Sequence, residues 1–454
     1  MNGETIAAIA TPPGDGGVAI IRISGPGAEA IAGRLFSKSQ KLEHARMVFG
    51  DVKMGTSLLD QCYAVLFKAP HSYTGEDVLE LHCHGGQVGV SCVLDAVLDN
   101  GARVAQPGEF TRRAFLNGKM DLSQAEAVGD FISASSEQSA KESLRQMEGE
   151  LKREAYRCQD KLTDLLAQVE AAVEYPEEDI EPVVVKNVLP DLMVLKNTLE
   201  EIEASYIKGK LIKDGLDVTI AGKPNVGKSS LLNALTGVDR AIVTDVPGTT
   251  RDTIEHSYLH KGIRFNLIDT AGIRKTDDLI ESEGVERSKK AINDGKCVVF
   301  VLDSTAKSSL EDEFVFRQIK KPEDDVLVVL NKLDLSQSLS EKQVFDVFGV
   351  KNCISVSAKT GEGLALLKEK LYERANIGSD IEQGLVITNA RHREVVRNAA
   401  GQISDAIDAL NNGMDMDCVT IDLNGAWQAL GEITGKTVGE EIIDRIFEKF
   451  CLGK

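Results

Sequence analysis

The stretch GKPNVGKS, from Gly222 to Ser229, fits the pattern G-x-x-x-x-G-K-[ST]. It follows the apolar run DVTIA and precedes an apolar stretch with helical spacing, so a strand–loop–helix unit is expected around it. Backbone N–H groups of such a loop surround phosphate oxygens, Lys228 neutralises the β- and γ-phosphates, and Ser229 can hold Mg²⁺. The pattern predicts a nucleoside triphosphate site with Lys228 in a catalytic role.

Two later segments predict which base of the nucleotide is recognised. The apolar run VLVVL leads into NKLD, in which the carboxylate of Asp334 can accept hydrogen bonds from N1–H and the 2-amino group of guanine. Adenine offers neither donor, and a polar group left unpaired by the wrong base discriminates by about 10⁴ or more. The segment SVSAKTG supplies a loop behind the base. The nucleotide is therefore predicted to be GTP.

Between these elements lie two segments typical of GTPase switches. NLIDTAGI places Asp269 at a strand end, where it can reach Mg²⁺ through water, and VPGTTRD contains Thr250, the expected switch threonine. Many GTPases carry a water-orienting Gln at the position of Ile273, and an apolar side chain cannot do that. Acids at 277, 278, 281 and 283 are the alternatives, and spacing does not choose among them. The predicted GTP-binding residues are Asn225, Val226, Gly227, Lys228, Ser229, Ser230, Thr244, Asp245, Val246, Pro247, Gly248, Thr249, Thr250, Asp269, Thr270, Ala271, Gly272, Asn331, Lys332, Asp334, Ser357, Ala358 and Lys359.

A thiol lies in the segment FCLGK, where Cys451 follows an apolar pattern of helical period. A helix from 440 to 450 is expected, with Cys451 and Gly453 projecting beyond it. Lys454 adds a cation that favours thiolate. A frayed tail with an incidental cysteine is the alternative at this point. The residues expected to be buried by this helix are Ile442, Ile443, Ile446 and Phe447.

Composition limits the classes of protein. The chain has 454 residues, 42% of them hydrophobic, eight cysteines without a CxxC pair, and a net charge of −19. No apolar run approaches the roughly 18 residues of a membrane helix, and the first residues lack a basic secretory n-region, so a cytoplasmic protein without membrane segments is expected. In LHCHGG, strand alternation would separate Cys83 from His82 and His84, which disfavours a metal site. The acidic charge implies that an RNA substrate meets a local patch or a partner's surface.

The pattern along the chain predicts a multidomain protein that combines α+β and α/β parts. Short alternating apolar runs with Gly/Pro turns indicate an α+β domain over 1–118, and helical spacing dominates 119–212 and 375–454. Strands alternate with helices over 213–374, which is typical of a Ras-like P-loop domain with a mostly parallel sheet. Helical segments on both sides of that block predict one discontinuous helical domain with the GTPase domain inserted into it.

Four stretches point to one family: IAAIATPPGDGGVAIIRISG, SYTGEDVLELHCHGG, PGEFTRRAFLNGKMDLSQAEAV and FCLGK. With the inserted GTPase segment they resemble the MnmE (TrmE) family of tRNA-modification GTPases over essentially the whole chain. Ribosome-assembly GTPases share the nucleotide loops but not these flanks. Leu452 departs from the expected Ile, which is a conservative change. The resemblance implies a GTPase that works with the FAD-dependent partner MnmG (GidA). Together they would add a carboxymethylaminomethyl-type group to C5 of the wobble uridine of certain tRNAs.

The same resemblance implies that the first domain dimerises and binds a one-carbon donor, 5-formyl- or methylene-tetrahydrofolate. It also implies GTPase domains that pair across the homodimer in a potassium-dependent way, and a heterotetramer or larger assembly with MnmG. Cys451 would serve the uridine chemistry as a nucleophile at C6, or would shuttle a group or a proton. The resemblance assigns K⁺ to Asn225, Thr244, Val246 and Thr249, Mg²⁺ to Ser229 and Thr250, hydrolysis to Glu281, and folate to Arg22, Glu80, Lys119 and Lys454.

Two other interpretations remain open on the sequence. One is a ribosome-assembly or regulatory GTPase without modification chemistry, and the other is a folate-dependent one-carbon transferase with an attached switch. Only the tRNA-modification interpretation requires a modified wobble uridine. The sequence does not decide which tRNAs are substrates, which one-carbon state of folate is used, or how hydrolysis is coupled to modification.

Overall fold

The structure is a computed structural model that describes residues 3–37, 42–174, 181–237, 256–269, 297–319, 326–375 and 384–453. Its strands are β1 (Ile6–Ile9), β2 (Ala19–Ser24), β3 (Phe36–Ser37), β4 (Val48–Met54), β5 (Ser57–Phe67), β6 (Val78–Cys83), β7 (Arg103–Val104), β8 (Leu216–Ala221), β9 (His256–His260), β10 (Ile263–Asp269), β11 (Cys297–Asp303), β12 (Val326–Asn331) and β13 (Cys353–Ser355). Its helices are α1 (Ala28–Leu35), α2 (Gln87–Asp99), α3 (Glu109–Leu116), α4 (Leu122–Ile132), α5 (Glu137–Met147), α6 (Glu150–Glu174), α7 (Glu181–Asp214), α8 (Lys228–Thr236), α9 (Leu310–Arg317), α10 (Glu341–Phe348), α11 (Leu364–Arg374), α12 (Ala390–Asn411), α13 (Met416–Thr434) and α14 (Glu440–Phe447).

The first sheet has the strand order β3-β4-β5-β6-β2-β1-β7, and only β1 and β7 are parallel neighbours. Side-chain alternation gives it two different faces. Ile21 and Ile23 of β2 enter an apolar core with residues of α1 and α2. Arg22, between them, instead lies beside Tyr73 and Phe110, and Phe110 comes from α3. Arg22 and its cross-strand partner Glu80 therefore form a polar pair on the second face, and this pair is only partly covered.

The helical body is built from two separate parts of the sequence. Helices α6 and α7 pack with α12 and α13 around one apolar core, in which Leu162, Leu195 and Ile403 are fully or almost fully buried. Apolar residues at helical spacing on each of these helices produce this core. Helix α7 continues through Pro190 over 34 residues. The prediction of a discontinuous helical domain is confirmed.

The second sheet lies between α7 and α12 in the sequence and has the order β13-β12-β11-β8-β10-β9. All neighbouring strands are parallel except the β9–β10 hairpin. Strand β12 is buried at every position, as expected for a parallel strand covered on both faces. The predicted combination of an α+β first part, a helical body and an inserted α/β part is confirmed.

The inserted sheet is connected to the helical body by close contacts at its two chain crossings. A Cβ at Gly209 of α7 would lie 2.2 Å from the carbonyl oxygen of Ile387, so the outgoing and returning segments touch backbone to backbone. Gln146 Nε2 of α5 donates to the carbonyl oxygen of Val386 at 3.2 Å. Lys213 Nζ lies 2.7 Å from Asp130 Oδ1 of α4. Helices α4 and α5 therefore support both crossings.

The last helix is shorter than the sequence predicts. Helix α14 ends at Phe447, and a turn carries the chain through Phe450. Ile443 and Phe447 are buried against α4, but Ile442 is 46% exposed, so its predicted burial is wrong. On a helix this short, the face that packs against the protein is too narrow to include all four apolar residues that were predicted to be buried. Within the described residues, no helix is long and apolar enough to cross a membrane.

Candidate functional site

The loop from β8 to α8 has the backbone of a phosphate-binding loop. Gly222 has φ +151° and Gly227 has φ +96°, values that side-chain-bearing residues rarely adopt. A Cβ at Gly222 would lie 2.5 Å from the carbonyl oxygen of Val301, and one at Gly227 would lie 2.2 Å from Asn331 Nδ2. Both positions therefore require glycine, and the loop passes directly into the N-terminus of α8, where anions bind.

Two side chains at the start of α8 present the chemistry of a phosphate and magnesium site. Lys228 is buried, and its Nζ donates to the carbonyl oxygens of Gly222 and Lys223, each at 2.8 Å. Ser229 Oγ lies 3.5 Å from Asp269 Oδ2 at the end of β10. The ammonium group of Lys228 is thus held inside the loop, and two oxygen donors from different elements converge beside it.

The residues predicted to read the base are joined to the phosphate loop by one buried amide. Asn331 Nδ2 donates to the carbonyl oxygen of Val226 at 2.9 Å, and Asn331 Oδ1 accepts from the backbone N–H of Ala358 at 3.1 Å. Ser357 Oγ donates to Asp334 Oδ1 at 2.7 Å, which lowers the pKa of this exposed carboxyl. Asp334 is therefore held ionised and in a fixed orientation.

One anchor of the phosphate loop was not found from the sequence. Lys223 Nζ lies 2.7 Å from Asp312 Oδ2, and Asp312 is 2% exposed at the capped start of α9. The spacing of Ser309 and Asp312 signals a capping box and hence a helix start. This spacing does not predict the contact of Asp312 with a loop almost 90 residues earlier, because only the folded sheet brings the two segments together.

Several predicted site residues lie outside the described residues. They are Thr244, Asp245, Val246, Pro247, Gly248, Thr249, Thr250, Thr270, Ala271, Gly272, Glu281 and Lys454. The described members not yet placed are Asn225 and Ser230, both exposed in or just after the phosphate loop, and Lys332 and Lys359 in the base-reading loops. Lys332 Nζ lies 2.6 Å from Asp303 Oδ2. The described part thus holds the phosphate and base sides of the predicted site.

A second candidate site lies on the partly covered face of the first sheet. Arg22 of β2 and Glu80 of β6 are direct cross-strand partners, and Arg22 Nε donates to Glu80 Oε1 at 2.8 Å. Their side chains are 22% and 15% exposed. His82 Nε2 is buried 3.4 Å from Glu80 Oε2 and makes no hydrogen bond to a described residue. An ion pair with an adjoining unsatisfied polar atom suits a polar ligand.

Lys119 reaches the same region through the loop between β5 and β6. Its Nζ donates to the carbonyl oxygen of Pro70 at 2.9 Å. In that loop, the ring of Tyr73 lies 5.3 Å from Arg22 Cζ. The loop therefore joins three predicted folate residues, although Lys119 and the Arg22–Glu80 pair lie on different elements.

The chain segment after α14 packs against the first domain. Gly453 is buried with φ +89°, and a Cβ there would lie 2.4 Å from the carbonyl oxygen of Ile9. The carbonyl oxygen of Cys451 accepts from the backbone N–H of Gly108 at 3.5 Å. The prediction that Gly453 projects beyond the helix is therefore wrong, because it packs against Ile9. The side chain of Cys451 is exposed, as predicted. Because Ile9 pairs with Ile21, the tail ends next to the strand position of Arg22.

The LHCHGG stretch shows the alternation expected of a strand. Cys83 is buried in the apolar core, and His82 faces Glu80 on the other side. His84 Nδ1 bonds to Asp60 Oδ1 at 2.7 Å. In the described ranges, no group of three or more His, Cys, Asp or Glu residues has the arrangement of a metal site.

Solved structures match part of this chain, and curated proteins match it over its full length. The G domain of the FeoB iron transporter from Thermotoga maritima is 29% identical over 35% of this chain and 98% of its own, with a TM-score of 0.27. The FeoB G domain from Methanococcus jannaschii is 25% identical over 36% and 98%, with the same TM-score of 0.27.

Two family models together span nearly the whole sequence. The model "GTP-binding protein TrmE N-terminus" matches residues 5–119, and "MnmE helical domain" matches residues 122–451. The tRNA modification GTPase MnmE of Clostridioides difficile is 41% identical over 99% of both chains. The protein of the same name from Carboxydothermus hydrogenoformans is 42% identical over 100% of both chains. With a family model over most of its length and relatives matched end to end, this chain belongs to the MnmE family of tRNA modification GTPases.

Proposed function

We propose that this chain is a GTP-hydrolysing enzyme of tRNA modification that acts on the wobble uridine. The observation that carries the GTPase part of the proposal is the Asp334–Ser357 hydrogen bond, because it orients a carboxylate suited to accept hydrogen bonds from guanine. The chain carries this feature within a full-length match to MnmE relatives. That membership supports tRNA as the substrate class and the cytoplasm as the location.

In the proposed GTPase reaction, Lys228 donates to β- and γ-phosphate oxygens, and its two bonds to carbonyl oxygens of the loop hold the ammonium group in position for the nucleotide. Ser229 and Asp269, 3.5 Å apart, are hard oxygen donors of the kind that Mg²⁺ prefers, and Thr250 is the proposed second direct ligand. Mg²⁺ held by these residues would neutralise charge on the phosphates.

The water-activating group is Glu281, which replaces the glutamine that Ile273 cannot supply. Potassium is the proposed second cation, held by Asn225, Thr244, Val246 and Thr249. Asn225 is exposed in the phosphate loop at φ +64°, so its amide oxygen is accessible to a cation beside the phosphates. A cation held there would stabilise the negative charge of the transition state.

The first domain is proposed to bind a tetrahydrofolate derivative through Arg22, Glu80, Lys119 and Lys454. Glu80 fits this role because a pterin presents an N–H/NH₂ edge that a carboxylate accepts. The unsatisfied His82 Nε2 beside Glu80 supports a polar occupant of this face. The donor, in its 5-formyl or methylene form, supplies the one-carbon unit.

Cys451 is proposed to take part in the uridine chemistry. Its exposed side chain and the packing of Gly453 against Ile9 support this role, since they bring a thiol to the domain that carries Arg22 and Glu80. A thiolate adding at C6 of uridine would activate C5 for substitution. Transfer of a group or a proton by the same thiol is the alternative.

The proposed assembly is a homodimer that joins FAD-dependent MnmG in a heterotetramer or larger complex. Phe49 and Tyr63 support dimerisation through the first sheet, since their rings are 5.3 Å apart and 55% and 49% exposed on neighbouring strands. The net charge of −19 supports a partner that provides much of the tRNA contact. The domains of this assembly are proposed as 1–118, 119–212, 213–374 and 375–454.

The test is nucleoside analysis of tRNA from a strain that lacks this gene. The wobble-uridine modification should be missing, and the wild-type chain should restore it. Cys451→Ser should not restore it, although the purified variant should hydrolyse GTP at the wild-type rate. A fully modified tRNA pool in the deletion strain would favour a regulatory or ribosome-assembly GTPase instead.

A further inference from the structure

The Arg22–Glu80 pair is bordered by two aromatic rings. Arg22 Cζ lies 5.3 Å from the ring centre of Tyr73 and 5.8 Å from that of Phe110. Phe110 is fully buried in α3, whereas Tyr73 is half-buried in the loop between β5 and β6. Tyr73 is therefore the ring that meets the accessible side of the pair.

The loop of Tyr73 is fastened by side chains from α3 and the residues after it. Tyr73 Oη and Thr111 Oγ1 are 2.9 Å apart, and Asn117 Nδ2 donates to the carbonyl oxygen of Thr74 at 2.8 Å. Arg113 Nη1 donates to Glu76 Oε2 at 2.9 Å. These contacts hold Tyr73 and the loop residues that follow it, so its ring has a defined position before any ligand binds.

The orientation of the Arg22 guanidinium follows from these contacts. Its Nε is used by Glu80 at 2.8 Å, and a guanidinium over an aromatic face is attracted by the ring quadrupole. Within the described part of the chain, the two Nη groups are the donors left to meet a ligand. A planar fork held in this way is suited to the anionic or carbonyl groups of a bound molecule.

We propose that Tyr73 is a positioning residue of the folate site, whose ring holds the Arg22 guanidinium beside Glu80 with both Nη groups directed to the ligand. This inference rests on the proposed folate function and adds a residue to it. The recognised ligand class is a planar heterocycle with a donor edge for Glu80 and an acceptor or anionic group for Arg22.

The experiment is calorimetric titration of full-length wild type, Tyr73→Phe, Tyr73→Leu and Asn117→Ala with 5-formyl-tetrahydrofolate. Tyr73→Phe keeps the ring and loses only the Thr111 contact, so its Kd should stay within about threefold of wild type. Tyr73→Leu removes the aromatic face and should raise Kd by about tenfold or more. Asn117→Ala loosens the loop without removing the ring and should resemble Tyr73→Phe.

The results distinguish a failure of the folate proposal from a failure of the role proposed for Tyr73. Wild-type protein that binds no folate overturns the folate proposal, and the role of Tyr73 with it. Binding by the wild type together with equal Kd values for Tyr73→Leu and Tyr73→Phe overturns the role of Tyr73 alone. A loss in Asn117→Ala as large as in Tyr73→Leu also overturns it, because loop placement would then explain both. The thermal midpoint and GTP turnover of Asn117→Ala should stay near wild type.

Discussion

Among single residues, Asp334 is the one proposed to select guanine. Its carboxylate is exposed, and a hydrogen bond from Ser357 orients it. Because this hydrogen bond lowers the pKa of the carboxyl group, Asp334 is ionised in the folded protein at neutral pH. Because a carboxylate accepts two hydrogen bonds from guanine, its orientation matters as much as its charge. The Asn331 amide fixes this reading edge relative to the phosphate loop.

Asp334→Asn should therefore exchange guanine for a base that accepts where guanine donates. GTP affinity should fall on the order of 10³-fold or more, and xanthosine triphosphate, with its 2-oxo group, should become the preferred nucleotide. Nucleotide titration by calorimetry measures both. Asp346→Asn, an exposed carboxylate on α10, is the charge-matched control and should bind GTP like wild type. Undiminished GTP affinity in Asp334→Asn would disprove the assignment.

Gly453 is one of the residues that hold the Cys451 segment against the first domain. It has φ +89°, and an added Cβ would meet the Ile9 carbonyl oxygen at 2.4 Å. Gly453→Ala should cost about 1–3 kcal/mol of docking free energy from the backbone alone. Wobble-uridine modification in the complemented deletion strain should fall strongly, while GTP hydrolysis stays intact.

The neighbouring Leu452 is the control for that change, since it is 60% exposed. Leu452→Ala should modify tRNA normally. If Gly453→Ala also supports full modification, the docked position of the tail is not needed for the chemistry.

At the scale of elements, hydrophobic period was sufficient to predict the helical body, the inserted α/β part and the strand–loop–helix unit of the phosphate loop. Local patterns report these features because each element must bury one face. The contacts between elements were not predictable: Lys223 with Asp312, and Tyr73 with Arg22, join residues far apart in sequence. The exposure of Ile442 has the same cause. The apolar spacing of a helix shows which face is buried, but not how many residues of that face the neighbouring surface covers.

Helix α5 provides a test of buried charge at the element scale. Glu142 is 2% exposed, its Oε1 has no hydrogen bond to a described residue, and burial raises its pKa to about 6. Arg145 Nη1 lies 3.5 Å from Glu142 Oε2. The charges of Lys208 on α7 and Glu150 on α6 also affect the pKa of Glu142. Since the folded pKa exceeds the ordinary 4.5, stability from this group is complete below pH 4.5 and is lost as pH rises through about 6.

Glu142→Gln should consequently become more stable relative to wild type as pH rises from 4.5 to 7.5. The gain should approach about 2 kcal/mol, because one pKa unit corresponds to about 1.4 kcal/mol. Thermal midpoints of both proteins across this range measure the difference. Glu137→Gln, an exposed acid on the same helix, should not reproduce the trend. A difference between Glu142→Gln and wild type that is constant with pH would contradict the prediction.

At the scale of the whole molecule, one GTPase domain is carried between two halves of a helical body. Its chain crossings touch at Gly209 and Ile387 and are supported by α4 and α5. Helix α4 also packs against the segment that leads to Cys451, since a Cβ at Gly129 would lie 3.3 Å from the Phe450 ring. Nucleotide-dependent movement at the crossings would therefore meet a helix that contacts the proposed modification site.

The proposed pairing of two GTPase domains across a homodimer would make hydrolysis a property of the assembly, and potassium is the proposed cation at the phosphates. Turnover should be at least about tenfold faster in K⁺ than in Na⁺, since a cation that stabilises transition-state charge contributes as an arginine finger does. Asn225→Ala should bind GTP but lose the difference between the salts. Glu281→Ala should bind GTP and hydrolyse it slowly in both, because the water-positioning group is then missing. Steady-state phosphate release in matched chloride salts distinguishes these cases, and equal wild-type rates in K⁺ and Na⁺ would exclude a catalytic role for potassium.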